Sequence, residues 1–156
     1  MSARLEYLSN KASVTEITEH LSCCDADFTP PLSTRVEIDD YAQKIMSKAI
    51  RFEAWSDGAL VGLVAAYCND PVTRIAYITS VTVLQAWARK GVATRLMDQC
   101  VEYAKASGMQ KLCLEVATEN IPAIKLYKKS GFRAGRTNVP FVSMNLYLKS
   151  GDEHEQ

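Results

Sequence analysis

The first half of the chain is dominated by runs of apolar and β-branched residues. Arg51–Trp55 and Ala59–Asn69 have strand patterns, and the Asp57-Gly58 pair between them is a strong hairpin signal. Asp70-Pro71 turns the chain into a third run, Ile75–Leu84. The pattern therefore predicts three successive antiparallel strands.

After Leu84 the spacing of apolar residues changes to the helical one. A helix is predicted from Gly91 to Ser107, followed by a strand at Lys111–Val116 and a helix at Ile121–Ser130. Gly108 and Gly131 end the two helices. The order strand, helix, strand predicts a crossover, so the strand at 111–116 should run parallel to the one before it. The residues of the first helix expected to face inward are Val92, Leu96, Cys100 and Tyr103.

The two ends of the chain supply further helices and strands. Ser13 followed by Glu16 is a capping-box pattern, which predicts a helix that ends near Cys23 or Cys24. A second helix is predicted from Ile38 to Ala49. The remaining predicted strands are Leu5–Leu8, Phe132–Ala134 and Ser143–Leu148.

Together these elements predict an α/β fold with a mixed central sheet. Its N-terminal half is antiparallel, its second half holds the parallel strand–helix–strand crossover, and helices cover both faces. At 156 residues one domain can bury a core without metal or disulfide staples. We expect residues 1–150 to form that domain and the acidic segment 151–156 to be a disordered tail.

Charge and cysteine content argue against several classes of function. The chain has 18 basic and 18 acidic residues, so no global field attracts nucleic acid or an anionic membrane. No apolar run approaches the roughly 18 residues of a membrane span, and the N-terminus lacks a signal-peptide core. The odd number of cysteines, with no CxxC pair, indicates a reducing cytoplasmic setting. Two histidines support neither a metal site nor a Ser-His-Asp triad.

The connection after the third strand is the first candidate for chemistry. It combines a basic rim with small residues at a helix start, where free backbone N–H groups attract phosphate oxygens. Neither a nucleotide-triphosphate loop nor a dinucleotide loop has this spacing. Alone, the cluster is equally consistent with a tight turn and close helix packing. Its residues are Arg89, Lys90, Gly91, Val92, Ala93 and Thr94.

A second segment makes a family resemblance specific. Leu114-Glu115-Val116 is followed by an N-x-x-A-x-x-L-Y-x-x-x-G-F run that begins at Asn120 and ends at Phe132. Together with the Gly-x-Ala loop, it resembles the GCN5-related N-acetyltransferase (GNAT) family. The motif is most similar to the bacterial branch that acetylates ribosomal-protein N-termini. The resemblance covers about Arg51 to Leu148.

The resemblance implies the acyl-CoA N-acyltransferase fold, with acetyl-CoA as co-substrate and no metal. The cofactor is expected where the third strand and its parallel neighbour part, with the pyrophosphate on loop 89–94. The pantetheine arm is expected on the backbone of Val81, Thr82 and Val83, and Asn120 matches a position that hydrogen-bonds this arm. Ala88 departs from the family, which has Gln or Arg there, so Arg89 or Lys90 is the alternative phosphate ligand.

Two residues are implied to carry out the chemistry. A protonated amine cannot attack a thioester until a base removes its proton, and Glu115 matches the family's base. The N–H of Val83 would stabilise the tetrahedral oxyanion, and Tyr127 matches the acid that protonates the departing thiolate. The alternatives are a glutamate on a solvated sheet face and a tyrosine on the apolar face of its helix.

For the reaction we expect direct acetyl transfer in a ternary complex, without a covalent enzyme intermediate. The segments Phe28–Val36 and Arg136–Val142 combine prolines, an aromatic and a cation, which suits a small amine that carries a carboxylate or phosphate. Acetylation of a protein N-terminus or lysine, and a non-catalytic acyl-CoA sensor, are the alternatives. The expected partner is thus a small-molecule amine or peptide, not nucleic acid or membrane, and a homodimer is the assembly considered.

Overall fold

The computed structural model describes residues 4–28 and 30–148. The predicted acidic tail, residues 151–156, lies outside the described residues. The described helices are α1 (Val14–Cys23), α2 (Ile38–Lys48), α3 (Val92–Ala106) and α4 (Ile121–Lys129). The strands are β1 (Glu6–Ser9), β2 (Ile50–Ser56), β3 (Ala59–Tyr67), β4 (Ile75–Val83), β5 (Lys111–Ala117), β6 (Arg133–Asn138) and β7 (Phe141–Tyr147).

The strands form one sheet in the order β1-β2-β3-β4-β5-β7-β6. β1 pairs antiparallel with β2, and β7 pairs antiparallel with both β5 and β6. β4 and β5 run parallel, with Ile75 beside Lys111 and Tyr77 beside Cys113. The predicted mixed sheet and its parallel crossover are confirmed. None of the helices in the described ranges has the length and apolar character needed to cross a bilayer.

The chain divides into two compact units, which we describe separately. The first unit is Met1–Ala65 with Ser80–Leu96, and the second is Ala66–Thr79 with Met97–Gln156. The boundary falls within β3, β4 and α3. That residues 1–150 form a single domain stays a prediction.

Local signals in the first unit produce the predicted elements. The Ser13 hydroxyl accepts from Glu16 N at 3.1 Å, and Ser13 N donates to the Glu16 carboxylate at 2.9 Å, which is the predicted capping box. Between β2 and β3, Asp57 and Gly58 both have positive φ, 51° and 79°. Two such residues make the type I′ turn whose twist matches a hairpin.

The helices α1 and α3 lie on opposite faces of the sheet. Leu84 N donates to Val61 O, so in the antiparallel register Val83 lies opposite Gly62. Gly62 faces α3 so closely that a Cβ there would come within 2.8 Å of Val92 Cγ1. The side chain of Thr82 points to the other face and hydrogen-bonds His20 of α1. Coverage of both faces is therefore confirmed in the first unit.

A buried ion pair fixes the segment that leads into α1. Glu53 is fully buried and its carboxylate accepts from Arg51 Nε at 3.1 Å. It also accepts from Lys11 N, Ala12 N and Trp55 Nε1 at 3.0 to 3.1 Å. Arg51 in turn donates to two backbone carbonyls, those of Ala12 and Met46. Both charges thus have the additional hydrogen bonds that a buried pair requires.

The prediction that Tyr103 faces inward from α3 is wrong. Val92, Leu96 and Cys100 are buried as predicted, but Tyr103 is 38% exposed and Ala104 is buried in its place. The buried positions follow a four-residue repeat, which drifts about 40° around the helix at each step. At the end of α3 this drift has carried the buried stripe past Tyr103.

In the second unit β6 is longer than predicted. Every residue of β6 is exposed. Its sequence, RAGRTN, has no alternation of apolar and polar positions that could mark a strand. β7 begins at Phe141, two residues before the predicted start. Gly131 ends α4 with a φ of 104°, and Phe132 N then donates to Tyr127 O at 2.9 Å, which closes the helix as predicted.

The Glu53 network yields a prediction of stability. Glu53→Gln should lower the free energy of unfolding by about 3 kcal/mol, because it leaves the Arg51 charge buried without a counter-charge. Urea denaturation followed by tryptophan fluorescence measures this change. Glu6→Gln, an exposed carboxylate on the neighbouring strand β1, is the matched control and should change stability by less than about 0.5 kcal/mol. Equal stability of the two variants would contradict the role of the network.

Candidate active site

The connection from β4 to α3 is an ordered loop in the first unit. Trp87 N donates to Leu84 O at 2.8 Å and Ala88 N to Gln85 O at 3.1 Å, which forms a tight turn after the strand. The next residue, Arg89, has a φ of 63°, and Gly91 follows at 82°. A positive φ is unusual for a residue with a side chain, so the loop is held in an uncommon conformation.

The loop ends at the open N-terminus of α3. The N–H groups of Val92, Ala93 and Thr94 have no intrahelical partner, because the first turn of any helix lacks carbonyls four residues earlier. The first turn contains no acidic residue, and Arg89 and Lys90 beside it are exposed. The local charge and the helix dipole therefore both favour an anion here.

β4 presents two different faces near its end. Val81 and Val83 are half-buried on one face, whereas Ser80 and Thr82 are buried on the other. The Thr82 hydroxyl lies 2.8 Å from His20 Nε2, and His20 Nδ1 lies 2.9 Å from Leu60 O. A carbonyl can only accept, so Nδ1 carries the proton and Thr82 donates to Nε2.

The contact of His20 with β4 was not predicted from the sequence. Its signal was its position beside Leu21 on the buried face of α1, which is typical of a core histidine. Burial lowers the pKa of His20, against smaller opposing effects from its hydrogen bonds. Cys24 Sγ lies 4.0 Å from Nε2, and burial, with the charge of Asp27, raises the pKa of that thiol to about 12. Both groups are therefore uncharged at neutral pH.

In the second unit the side chain of Glu115 lies on the open face of β5. Leu114 and Val116 on either side of it are buried, so side chains of β5 alternate between a buried and an open face here. Glu115 is exposed and lies directly opposite Ser143 of β7. Ser143 Oγ donates to Arg136 O at 3.2 Å, so the hydroxyl next to Glu115 is already oriented.

Tyr127 lies on the buried face of α4. Its side chain is only 6% exposed, and its ring packs against Phe132 with centroids 6.0 Å apart. Burial raises the pKa of the Tyr127 phenol above its ordinary value. The phenol therefore stays protonated throughout the physiological pH range.

Asn120 has a structural role at the start of α4. Its Oδ1 accepts from Ala123 N at 3.3 Å, so it is the N-cap of the helix. The side-chain amide NH₂ is not engaged by this cap. Contact with a cofactor arm through that group stays a prediction.

Cys68, Cys100 and Cys113 lack the environment of a nucleophile. Burial raises the pKa of Cys100 to about 12, with a smaller contribution from Cys68. Burial also raises the pKa of Cys68 and of Cys113. A reactive cysteine requires a lowered pKa, so these thiols do not favour a covalent intermediate. Within the described residues, no group of three or more His, Cys, Asp or Glu side chains is arranged to hold a metal ion.

The two predicted acceptor segments lie in different units. In Phe28–Val36, Arg35 lies over the Phe28 ring at 5.8 Å, and Ser33 donates two hydrogen bonds of 2.7 Å to Asp25. Thr29, within this segment, is outside the described residues. In Arg136–Val142, Arg136 is exposed on β6. Their joint contribution to one pocket stays a prediction.

Comparison with known proteins identifies similar sequences. Residues 14–132 match the sequence model of the acetyltransferase (GNAT) family. The uncharacterized N-acetyltransferase YsnE of Bacillus subtilis is 29% identical over 136 residues, which cover 85% of this chain and 86% of that protein. An N-alpha-acetyltransferase of Saccharolobus solfataricus is 35% identical over 63 residues, 40% of this chain and 38% of that protein. The chain covers between 21% and 42% of the length of four curated relatives.

A solved structure shows the same fold. The PaiA N-acetyltransferase of Thermoplasma acidophilum, in complex with coenzyme A, matches with a TM-score of 0.71. The match covers 94% of this chain and 99% of that chain at 14% identity.

The neutral, buried His20 predicts a pH dependence of stability. The unfolded chain takes up this proton as pH falls through the ordinary histidine value of 6.5, whereas the folded protein does so only at lower pH. The free energy of unfolding should therefore be fully retained above pH 6.5 and decrease as pH falls towards the folded pKa. Each unit of difference between the two pKa values corresponds to about 1.4 kcal/mol.

Urea denaturation between pH 8 and pH 5 tests this dependence in wild type and His20→Gln. The variant lacks the titrating group, so the difference in stability between the two proteins should narrow as the pH is lowered. Other groups titrate in both proteins and cancel in this difference. A constant difference across the range would exclude a depressed pKa for His20.

Proposed function

The chain belongs to the GNAT acetyltransferase family, and we propose that it transfers the acetyl group of acetyl-CoA to the primary amine of a small molecule. The observation that carries this proposal is the family match over residues 14–132, which includes both the loop at 89–94 and Tyr127. The coenzyme A complex of the Thermoplasma protein supports the choice of cofactor.

In the proposed complex, backbone groups bind the cofactor. The N–H groups at the start of α3 would bind the pyrophosphate, and the backbone of Val81, Thr82 and Val83 would pair with the pantetheine arm. Ala88 supplies no long polar side chain, and the exposed Arg89 and Lys90 are the nearest cations in sequence. We propose that one of them replaces the missing contact with phosphate.

The first chemical step is attack by the amine nitrogen on the thioester carbonyl carbon. The attacking nitrogen must lose a proton, and we assign the acceptance of that proton to Glu115. Because Glu115 is exposed, a water molecule can lie between its carboxylate and the amine. Proton transfer through such a water is the form of base catalysis that we propose.

The second step is collapse of the tetrahedral intermediate. The oxyanion would accept from Val83 N–H, and the C–S bond then breaks to release the coenzyme A thiolate. Tyr127 stays protonated because burial raises its pKa, so it can donate to the sulfur as negative charge develops. An ordinary thiol has a pKa of about 8.5, below that of this phenol, which favours a hydrogen bond over complete proton transfer from Tyr127. The thiolate is then protonated from solvent, to which Glu115 returns the proton that it accepted.

Two alternatives have specific support. The archaeal N-alpha-acetyltransferase among the relatives favours a protein N-terminus as acceptor. Ala88, which removes a phosphate contact, favours a non-catalytic acyl-CoA sensor. A thiol-release assay with acetyl-CoA and a panel of amines distinguishes the sensor, because a sensor binds acetyl-CoA without amine-dependent release of thiol.

Tyr127→Phe tests the proposed hydrogen-bond donor to the sulfur. The variant should lower kcat by about 100-fold, because the leaving sulfur loses its donor, while KM for acetyl-CoA changes less than about threefold. Steady-state thiol release measures both constants. Tyr103→Phe on α3 is the matched control, because Tyr103 is exposed and should keep wild-type kinetics. An unchanged kcat in Tyr127→Phe would remove the tyrosine from the mechanism.

Acceptor class is tested with amino acids, amino sugars, polyamines and N-terminal peptides in the same assay. If Arg136 binds an acceptor carboxylate or phosphate, Arg136→Ala should raise KM about tenfold or more for anionic acceptors only, since a charge-assisted hydrogen bond is lost. Arg133→Ala, on the same exposed strand, is the control. Equal loss with neutral acceptors would discard this contact, and saturable turnover of peptides alone would overturn the small-molecule assignment.

A further inference from the structure

His20 is a buried group that the proposed reaction does not use directly. It lies on α1, yet its two ring nitrogens contact two different strands, Leu60 O at the start of β3 and Thr82 Oγ1 near the end of β4. Both bonds are shorter than 3.0 Å and both are buried. The imidazole therefore bridges β3 and β4 from one face of the sheet.

This bridge lies at the end of β4 that is distant from its pairing with β5. β4 pairs with β5 through Ile75, Ala76 and Tyr77, at the beginning of the strand. Immediately after β4 ends, Leu84 N donates to Val61 O, and the chain turns into the loop before α3. The segment from Thr82 to Leu84 is thus attached to β3 by backbone pairing, which includes the Leu84 N bond, and by this side-chain bridge.

The protonation state of His20 fixes which group donates in each of its two hydrogen bonds. Because Nδ1 donates to a carbonyl, the neutral ring offers only the Nε2 lone pair to Thr82, and the hydroxyl must donate. The other buried hydroxyl on this face of β4, Ser80 Oγ, has no hydrogen-bond partner within the described residues. Burial on this face of β4 therefore does not by itself supply a hydrogen-bond partner. Thr82 has one because His20 lies beside it.

We propose that His20 is a positioning residue for acetyl transfer, which through Thr82 holds the end of β4 on β3 and so sets the position of the Val83 N–H. This inference rests on the proposed function, in which that N–H stabilises the oxyanion. An oxyanion donor acts only when it lies within hydrogen-bond distance of the developing charge. A small displacement of β4 should therefore affect turnover more than binding of acetyl-CoA.

The test compares three variants of the full-length chain. Thr82→Val removes the hydroxyl at nearly constant shape, and Thr82→Ser keeps it. Ser80→Ala removes the neighbouring buried hydroxyl, which has no partner among the described residues. Amide hydrogen exchange of residues 81–84 reports the restraint on β4 without depending on activity. Steady-state kinetics separate kcat from KM for acetyl-CoA, and thermal unfolding reports global stability.

Thr82→Val should increase exchange of these amides about tenfold or more and lower kcat about tenfold, with KM for acetyl-CoA changed less than about twofold. Thr82→Ser should recover most of the lost turnover and protection, and Ser80→Ala should leave both unchanged. If Thr82→Val does not fold, His20→Asn serves instead, because it keeps a donor at the Nδ1 position and loses the Nε2 acceptor.

Two outcomes distinguish failure of this inference from failure of the proposed function. A Thr82→Val protein with a lower melting temperature but unchanged kcat and local exchange would overturn the positioning role. A wild-type protein that releases no coenzyme A with any amine would overturn the acetyltransferase function. In that case unchanged exchange in Thr82→Val would also reject the bridge, and increased exchange would support it as a restraint on β4.

Discussion

The buried carboxylate of Glu53 is the constraint from which the arrangement of the first unit follows. A charge with no exposure must be fully hydrogen-bonded, and its four donors come from Lys11, Ala12, Arg51 and Trp55. Two of these donors are backbone groups just before α1, so the carboxylate fixes where the helix starts. About two turns later the same helix carries His20 to Leu60 and Thr82. Glu53 on β2 and Thr82 on β4 thus both contact the short segment that carries α1.

Burial keeps one titratable group in each unit uncharged. It lowers the pKa of His20 and raises that of Tyr127, because in both cases the charged form is disfavoured. Opposite shifts therefore have the same result, a neutral side chain that acts through a hydrogen bond of fixed direction. The groups that keep solvent access, Glu115, Arg89 and Lys90, are those proposed to exchange protons or to meet phosphate. The neutral side chains that act through hydrogen bonds are thus buried, and the side chains proposed to act through charge or proton exchange are exposed.

The parts of the fold that could be predicted depend on residues near one another in sequence. The Ser13 capping box, the Asp57-Gly58 turn and the Gly131 helix stop each follow from a few residues and were confirmed. The contacts proposed to position the site join residues far apart, such as His20 and Thr82, which are 62 residues apart. No pattern in one sequence reports such a pair. The roles of Glu115, Asn120 and Tyr127 came from a family resemblance, and geometry alone does not assign them.

In the proposed function, the conformation of the loop before α3 accounts for a phosphate site that has Ala88 in place of a long polar side chain. A non-glycine residue with positive φ costs about 1 kcal/mol or more, and Arg89 has this conformation directly after a hydrogen-bonded turn. This free-energy cost is already offset when the chain folds, so binding of a phosphate need not order the loop. Backbone N–H groups in a preformed turn depend little on the side chains around them, which also makes Ala93 an adequate substitute for glycine. In the proposed function, recognition of the cofactor then rests on backbone conformation, and selectivity among acceptors must come from side chains outside the loop.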